Sequence, residues 1–302
     1  IIPLEDQAVV VADSTWAAMK GAKELTLHTS GGHKDLSDES IIQQFRSDLV
    51  KSGVPVAHRG DPATVIDKAI RVMELEYEAP MQAHAAMEPL CATASVTAEG
   101  CEVWAPTQSS DFAMYMGMGV TGLPPEKIKL HTTYLGGGFG RKVESDFITA
   151  PLVASMKLGK PVKITWTREE DTRNDFYRPP FLIHMQFSLD VHGMPHGLRA
   201  KLVGPAVSRR WQMPPPWLEE NGYDWVVTIG MFDGYNLPNR TPDLSKAYAI
   251  PNLQVDFVPS EIQVPTGAWR SIGTSHNTFA LESALDEVAH AGGHDPFELR
   301  KK

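Results

Sequence analysis

Apolar and polar positions alternate with period two along several short stretches, and these predict strands. The clearest are Lys127–Tyr134, where Ile128, Leu130 and Thr132 share one face, and Ala69–Tyr77, with Ile70, Val72 and then Leu75 and Tyr77. Further strands are expected at Ala8–Ala12, Lys163–Thr167, Phe181–Asp190, Gly197–Val203 and Leu253–Val258. The Val191-His192-Gly193-Met194 turn joins two of them into a hairpin, and a second hairpin pairs Ala92–Val96 with Cys101–Trp104 around Ala98-Glu99-Gly100. Helical spacing marks Trp16–Leu25 behind a Ser14 or Thr15 cap, and Leu36–Val50 with Ser37 as its cap. It also marks Ser145–Leu158, carrying Phe147, Ile148, Leu152, Val153 and Met156, and Thr278–Ala291, which Gly292-Gly293 ends. Strands and helices in mixed order predict an α+β fold. Residues 205–250, with Pro214-Pro215-Pro216 among Trp, Tyr and Asn, read as a long irregular loop. Thr29–His33, with Gly31-Gly32, reads as a shorter one.

Between the strand Lys127–Tyr134 and the helix from Ser145 lies Leu135-Gly136-Gly137-Gly138-Phe139-Gly140-Arg141-Lys142. So many glycines let the backbone approach a large polar group and adopt φ > 0 where needed. N–H groups exposed there suit anionic or oxo groups. A nucleotide phosphate loop would need Gly-Lys-Ser/Thr, whereas Lys142 follows Arg141 and precedes Val143. A dinucleotide fingerprint beginning at Gly136 and Gly138 fails at Arg141. A ligand cradle of another kind and a tight structural turn both remain.

The composition excludes some partners. Of 302 residues, 42% are apolar and 22% charged, as in ordinary globular domains. A net charge of −9 argues against nonspecific nucleic-acid binding and against a basic membrane-surface patch. No apolar run approaches the ~18 residues of a spanning helix, and no secretory signal opens the chain. A soluble protein is expected, with the compartment left open. Cys91 and Cys101 are the only cysteines, too few for an iron–sulfur cluster. They flank the predicted hairpin, and both a cross-strand disulfide and two free thiols are compatible with that. His84 and Glu88 could share a helix face, but no third ligand accompanies them, so packing and hydrogen bonding is the expected role. His28, His33, His58, His192 and His196 show no ligand spacing.

Several separated blocks stand in one order. They are Ala83-His84-Ala85-Ala86-Met87-Glu88-Pro89, Trp104-Ala105-Pro106-Thr107-Gln108, the glycine turn and Tyr177-Arg178-Pro179. Gly267-Ala268-Trp269-Arg270-Ser271-Ile272-Gly273, Glu282-Ser283-Ala284-Leu285-Asp286-Glu287 and Asp295-Pro296-Phe297-Glu298-Leu299-Arg300 follow. In this order, from about Val9 onward, the chain resembles the molybdopterin-binding large subunits of the xanthine dehydrogenase and aldehyde oxidase family, in particular the isoquinoline 1-oxidoreductase-like branch. The resemblance implies a fragment of such a subunit, incomplete at both ends, with residues 1–76 preceding a molybdopterin-binding first lobe at 77–302.

It further implies a molybdenum hydroxylase that oxidises an aldehyde or N-heteroaromatic carbon with oxygen taken from water. Electrons would leave through molybdopterin, in its cytosine dinucleotide form, to the clusters of a small [2Fe-2S] subunit. In that family the pterin dithiolene holds the metal and no protein side chain ligates it. Gln108 matches the glutamine that hydrogen-bonds the apical oxo group. Phe139 and Gly140 match the pair whose backbone approaches it, with Gly136, Gly137 and Gly138 giving the necessary room. Ala268, Trp269 and Arg270 match a second cofactor loop, suited to pterin and phosphate oxygens. Arg178 matches a substrate-pocket arginine.

Two departures follow. Purine-hydroxylating relatives carry a glutamate where this chain has Val143, so purines are disfavoured. The family's general base lies beyond residue 302, so this piece alone is expected to be inactive. The competing expectations are a homologous binding module without cofactor and a nucleotide-dependent enzyme, the latter disfavoured by the failed fingerprints.

Overall fold

The computed structural model describes residues 1–28, 30–208, 224–231 and 248–302. Most of the loop expected at 205–250, and Thr29 of the shorter one, lie outside the described residues. The chain divides into two compact units, each assembled from two stretches: residues 1–32 with 83–176, and residues 33–82 with 177–302. Both mix strands and helices, and the fold is α+β.

In the first unit, β1 (Ile2–Pro3) and β2 (Ala8–Val9) form a short antiparallel pair, followed by α1 (Thr15–Lys23). Ser14 is the N-cap of α1, its hydroxyl accepting from the Ala17 N–H. The larger sheet has the order β7-β6-β5-β8, from β5 (Cys91–Val96), β6 (Cys101–Ala105), β7 (Ile128–Thr132) and β8 (Val162–Thr165). β5 and β6 form the expected hairpin, while β6 and β7 run parallel. A parallel pair needs a crossover, which α4 (Ser110–Thr121) supplies; its C-cap is Gly122, at φ 69°. That helix escapes the apolar pattern, because Met114, Met116 and Met118 stand at every second position, with Tyr115 and Gly117 between them, rather than follow a 3.6 period. The helix expected from Ser145 begins as a 3-10 turn, Asp146–Ile148, and continues as α5 (Thr149–Leu158). Phe147, Ile148 and Leu152 pack under β5 and β6, against Leu90, Ala92, Ala94, Val103 and Ala105. Both thiols are free: Cys101 stands opposite Val96 and Cys91 opposite Thr165, so the hairpin register does not pair them.

The second unit contains α2 (Asp38–Asp48), β3 (Val54–Arg59), α3 (Pro62–Asp67), β4 (Arg71–Ala79), β9 (Phe181–Leu189), β10 (Pro195–Gly204) and β11 (Asn252–Pro259). Its sheet has the order β3-β11-β10-β9-β4, with only the β10–β11 pair parallel. Side chains of a strand alternate between faces, and here both faces are covered. Phe181, Ile183, Met185 and Phe187 pack beneath the helix Thr274–Gly292, labelled α6, with Ala280, Leu281, Ala284, Leu285 and Val288. Leu182, Val203 and Val258 point the other way, onto Ile41 and Phe45 of α2. That is why β9 opens on three consecutive apolar residues, Phe181, Leu182 and Ile183, before it alternates with His184, Gln186 and Ser188. The reciprocal Ser37–Ser40 capping box fixes the start of α2. Gly193, at φ 74°, makes the β9–β10 turn, donating its N–H to the Asp190 carbonyl. α6 starts four residues earlier than its apolar spacing predicts, and its C-cap is Gly293.

Candidate functional site

The first unit brings Gln108 and the glycine turn together by topology. Ala105 ends β6 and Thr132 ends β7, and these two are register partners in a parallel pair. Whatever follows each strand therefore emerges from the same edge, as ligand-binding loops do at the carboxyl ends of parallel strands. Gln108 lies just beyond β6 and Gly136–Gly140 just beyond β7. The Gln108 carboxamide oxygen accepts the Gly140 N–H at 3.0 Å, and the Gln108 main-chain N–H donates to the Lys142 carbonyl at 2.8 Å.

That acceptance fixes the side chain's polarity: with its oxygen committed to Gly140, the amide presents its NH2 as a donor. The turn is equally constrained. Phe139 holds φ 55° between Gly137 at 95° and Gly140 at 109°, a conformation disfavoured for an aromatic residue and of the kind that gathers at functional sites. The Gly137, Gly138 and Phe139 N–H groups donate to no acceptor among the described residues. Consecutive unpaired N–H groups on a turn of this shape make an anion or oxo cradle. A Cβ on Gly136 would stand 2.5 Å from the Glu88 Cβ, and one on Gly138 2.3 Å from the Gln108 Oε1.

Charged side chains that the sequence reading missed brace this turn. Arg141 is buried and grips Asp146 through two N–H···O bonds of 2.7 and 2.8 Å. Its Nε also stands 3.0 Å from the Asp175 carboxylate, but the N–H is not aimed at it, so that contact is charge attraction. Burial opposes the Arg141 charge, and Asp146 and Asp175 more than offset it, raising its pKa above the ordinary value. Asp175 accepts the His84 main-chain N–H at 2.6 Å and stands 2.9 Å from its Nδ1. Lys142 is fully buried, with its Nζ 2.6 Å from Glu88. Burial alone would raise the Glu88 pKa, but Lys142 and the Gly136 N–H hold it below the ordinary carboxylate range. His84 and Glu88 do not share a helix face, because Ala85 between them holds φ 46°. No group of three metal-ligating side chains occurs among the described residues.

The second unit carries the other expected residues. The Arg178 main-chain N–H donates to the Gln82 carbonyl, and its guanidinium donates to the Pro80 carbonyl at 2.7 Å. It lies 5.7 Å from the Trp269 ring centre, and burial lowers its pKa. Arg178, Trp269, Ile272 and His276 line a cavity of about 10 Å³, room for a water and no more. After half-buried Ala268 and Trp269 and exposed Arg270, Ser271 and Ile272 hold φ 71° and 48°. For a β-branched residue this is a true outlier. The Ile272 N–H, bonded to the Trp269 carbonyl at 2.6 Å, helps to hold it.

His276 closes that cavity, stacked on Phe181 at 4.2 Å with its Nε2 against the Val227 carbonyl. Burial, with the Arg178 charge acting in the same direction, lowers its pKa to about 3. A histidine kept neutral when folded but free to protonate when unfolded makes stability fall as pH drops from the unfolded value of ~6.5 towards about 3. In that window the slope should reach ~1.4 kcal/mol per pH unit. Urea titrations of the wild type and of His276→Gln between pH 7 and pH 4 check this. The variant should lose less stability on acidification; parallel curves would refute it.

The sequence profile of the molybdopterin cofactor-binding domain matches residues 45–206 and 224–302. The β subunit of isoquinoline 1-oxidoreductase from Brevundimonas diminuta is 24% identical over 99% of this chain, which spans 38% of that protein. The molybdenum-binding subunit of aldehyde oxidoreductase from Escherichia coli K12 is 25% identical over 97% of the chain, covering 37% of that subunit. This chain thus spans little more than a third of such relatives. In solved structures the same fold occurs in quinoline 2-oxidoreductase from Pseudomonas putida 86, at 20% identity and a TM-score of 0.69 over 96% of this chain and 36% of that one. It occurs also in the aldehyde oxidoreductase from Desulfovibrio gigas, at 22% identity and a TM-score of 0.64 over 83% and 26%. With the glycine turn, Gln108 and the Gly267–Gly273 loop all inside the matched span, the chain belongs to the molybdopterin cofactor-binding domain family.

Proposed function

We propose that the chain is part of the catalytic subunit of a molybdenum hydroxylase, oxidising an aldehyde or N-heteroaromatic carbon with water-derived oxygen. The observation that carries this is the pairing of a Gln108 NH2 donor with the free N–H row of Gly137–Phe139 on one sheet edge. Such a donor set fits a metal-oxo group and the oxygen-rich edge of a pterin. Bound there, the cofactor would supply the redox chemistry, removing two electrons from substrate. The chain's part is to orient. Gln108, held by Gly140, donates from one side; Gly136, Gly137, Gly138, Phe139 and Gly140 bring main chain close without side-chain obstruction.

Ala268, Trp269 and Arg270 are assigned as further cofactor-binding residues; exposed Arg270 has no acidic partner among the described residues, leaving its guanidinium for a phosphate oxygen. Arg178 is assigned to the substrate, where its charge would stabilise negative charge developing in the transition state. The cofactor is assigned as the cytosine dinucleotide form, with electrons passing to a small [2Fe-2S] subunit. Relatives named for aldehydes, isoquinoline and nicotinate support the substrate class. Val143 cannot pair with a purine, which disfavours xanthine-like substrates. Among the described residues no helix is long and apolar enough to cross a membrane.

The test is metal analysis of the full-length protein purified with its partner, followed by a screen of aldehydes and N-heteroaromatics with an artificial electron acceptor. About one molybdenum per chain and turnover of one class is expected; a metal-free, inert complex would leave only a binding module. Within that complex, Gln108→Ala should lower kcat at least about tenfold, as expected for one lost hydrogen-bond donor at ~1.4 kcal/mol per factor of ten. Molybdenum content should change far less, because that contact matters mainly in the transition state. Unchanged kcat counts against the role given to Gln108.

A further inference from the structure

Lys142 is the anomaly of the first unit. Its ammonium is fully buried, in a fold where an apolar side chain of that length would pack at no electrostatic cost. Its partner Glu88 does more than neutralise it. The same carboxylate oxygen that meets Lys142 at 2.6 Å accepts the Gly136 N–H at 3.1 Å, and the Glu88 N–H donates to the Gly136 carbonyl at 3.0 Å. Glu88 thus holds the first glycine of the turn by both main-chain groups. At its other end, the Lys142 carbonyl accepts the Gln108 N–H at 2.8 Å and the Thr107 hydroxyl at 3.1 Å. One residue is therefore tied through its side chain to the start of the glycine turn and through its main chain to Gln108. These two ends flank the Gly137–Phe139 N–H row.

We infer that the Lys142–Glu88 pair is the positioning device of this edge, fixing the distance between the Gln108 carboxamide and the glycine-turn N–H groups. The inference rests on the molybdenum-hydroxylase reading above. Lys142 and Glu88 are positioning residues and need not touch cofactor or substrate. Stability alone does not require the pair: only its cation is buried, Glu88 being 34% exposed at the side chain, and replacing a buried charge by a packed apolar residue is often neutral or favourable. Placement does require it, because no apolar side chain can hold the Gly136 N–H at a set distance.

The experiment uses the full-length protein with its partner and compares the wild type with Lys142→Met/Glu88→Leu. The readouts are melting temperature, molybdenum per chain, the Mo(V) electron paramagnetic resonance signal, and kcat per molybdenum and KM. The double variant should melt within a few degrees of wild type. It should hold at most about a third of the molybdenum, or show a shifted signal with kcat per molybdenum down about tenfold and KM within about twofold. Wild-type molybdenum content, signal and kcat in a stably folded double variant would overturn the inference and leave the reading standing. A wild-type complex without molybdenum would remove the reading, and the inference with it. Should the double variant fail to fold, Glu88→Gln is the second test: isosteric, it can still accept from Gly136 but carries no charge to hold Lys142. A measurable loss in molybdenum content or kcat per molybdenum is expected there, and wild-type values in both would overturn the inference equally.

Discussion

Asp175→Ala should cost the full-length protein about 3–5 kcal/mol of unfolding free energy, the range for breaking a buried charge cluster from one side. Asp175 is 2% exposed and serves three groups at once. It accepts from the His84 main chain, stands against the His84 ring, and balances Arg141, itself 3% exposed at the side chain. Removing it strands a buried N–H and leaves Arg141 with Asp146 as its close partner. Asp175→Asn keeps the shape and an acceptor for His84, so it should lose less than half as much. Urea unfolding of the two variants beside wild type provides the comparison. A loss below ~1 kcal/mol for the alanine variant would mean that solvent reaches the cluster and replaces the missing carboxylate.

That cluster was the least legible part of the chain. Charged residues are seldom fully buried, so Arg-Lys after a glycine turn reads as solvated sequence. What buries them is Asp175 and Glu88, both distant along the chain. The one local signal was the His84–Glu88 block, and its i,i+4 spacing suggested a helix face; Ala85 at φ 46° gives the main chain a different course. His84 and Glu88 then bind different partners, Asp175 and Lys142.

Strands were far more legible than helices. Those with alternating or near-continuous apolar character, such as β7, β9 and β11, appear within a residue or two of where the pattern puts them. β3 carries too few apolar residues in alternation to announce itself, with Pro55, His58 and Arg59 among its six positions. α4 was hidden by its glycines, and with it the parallel pairing of β6 and β7. The closeness of Gln108 to Phe139 could be expected from the family resemblance alone. The physical reason, two loops leaving one edge of a parallel pair, needed the crossover helix. Nor does a linear sequence show that β4 and β9 pair across the whole intervening stretch of the first unit.

Gly138→Ala should abolish most turnover while leaving the fold intact, and its contrast with Gly119→Ala isolates the cause. A methyl group at position 138 would stand 2.3 Å from the Gln108 Oε1 and 2.8 Å from its Cδ, so the carboxamide has to leave its place. Leaving breaks its bond to the Gly140 N–H and turns the NH2 donor away from the turn. One small substitution would thus remove the Gln108 donor and crowd the N–H cradle together. Each of these two disturbances is worth about a factor of ten, or ~1.4 kcal/mol. About a hundredfold loss of kcat is therefore expected in the loaded full-length complex, larger than for Gln108→Ala, because alanine at 108 leaves the cradle open. Gly119 sits exposed within α4 with nothing near its missing Cβ, so alanine there should stabilise by about 0.5–1 kcal/mol and leave kcat unchanged. Turnover assays, melting curves and molybdenum analysis on both variants separate the two effects. If Gly138→Ala kept wild-type kcat per molybdenum, the packing of Gln108 against the turn would have no bearing on the reaction.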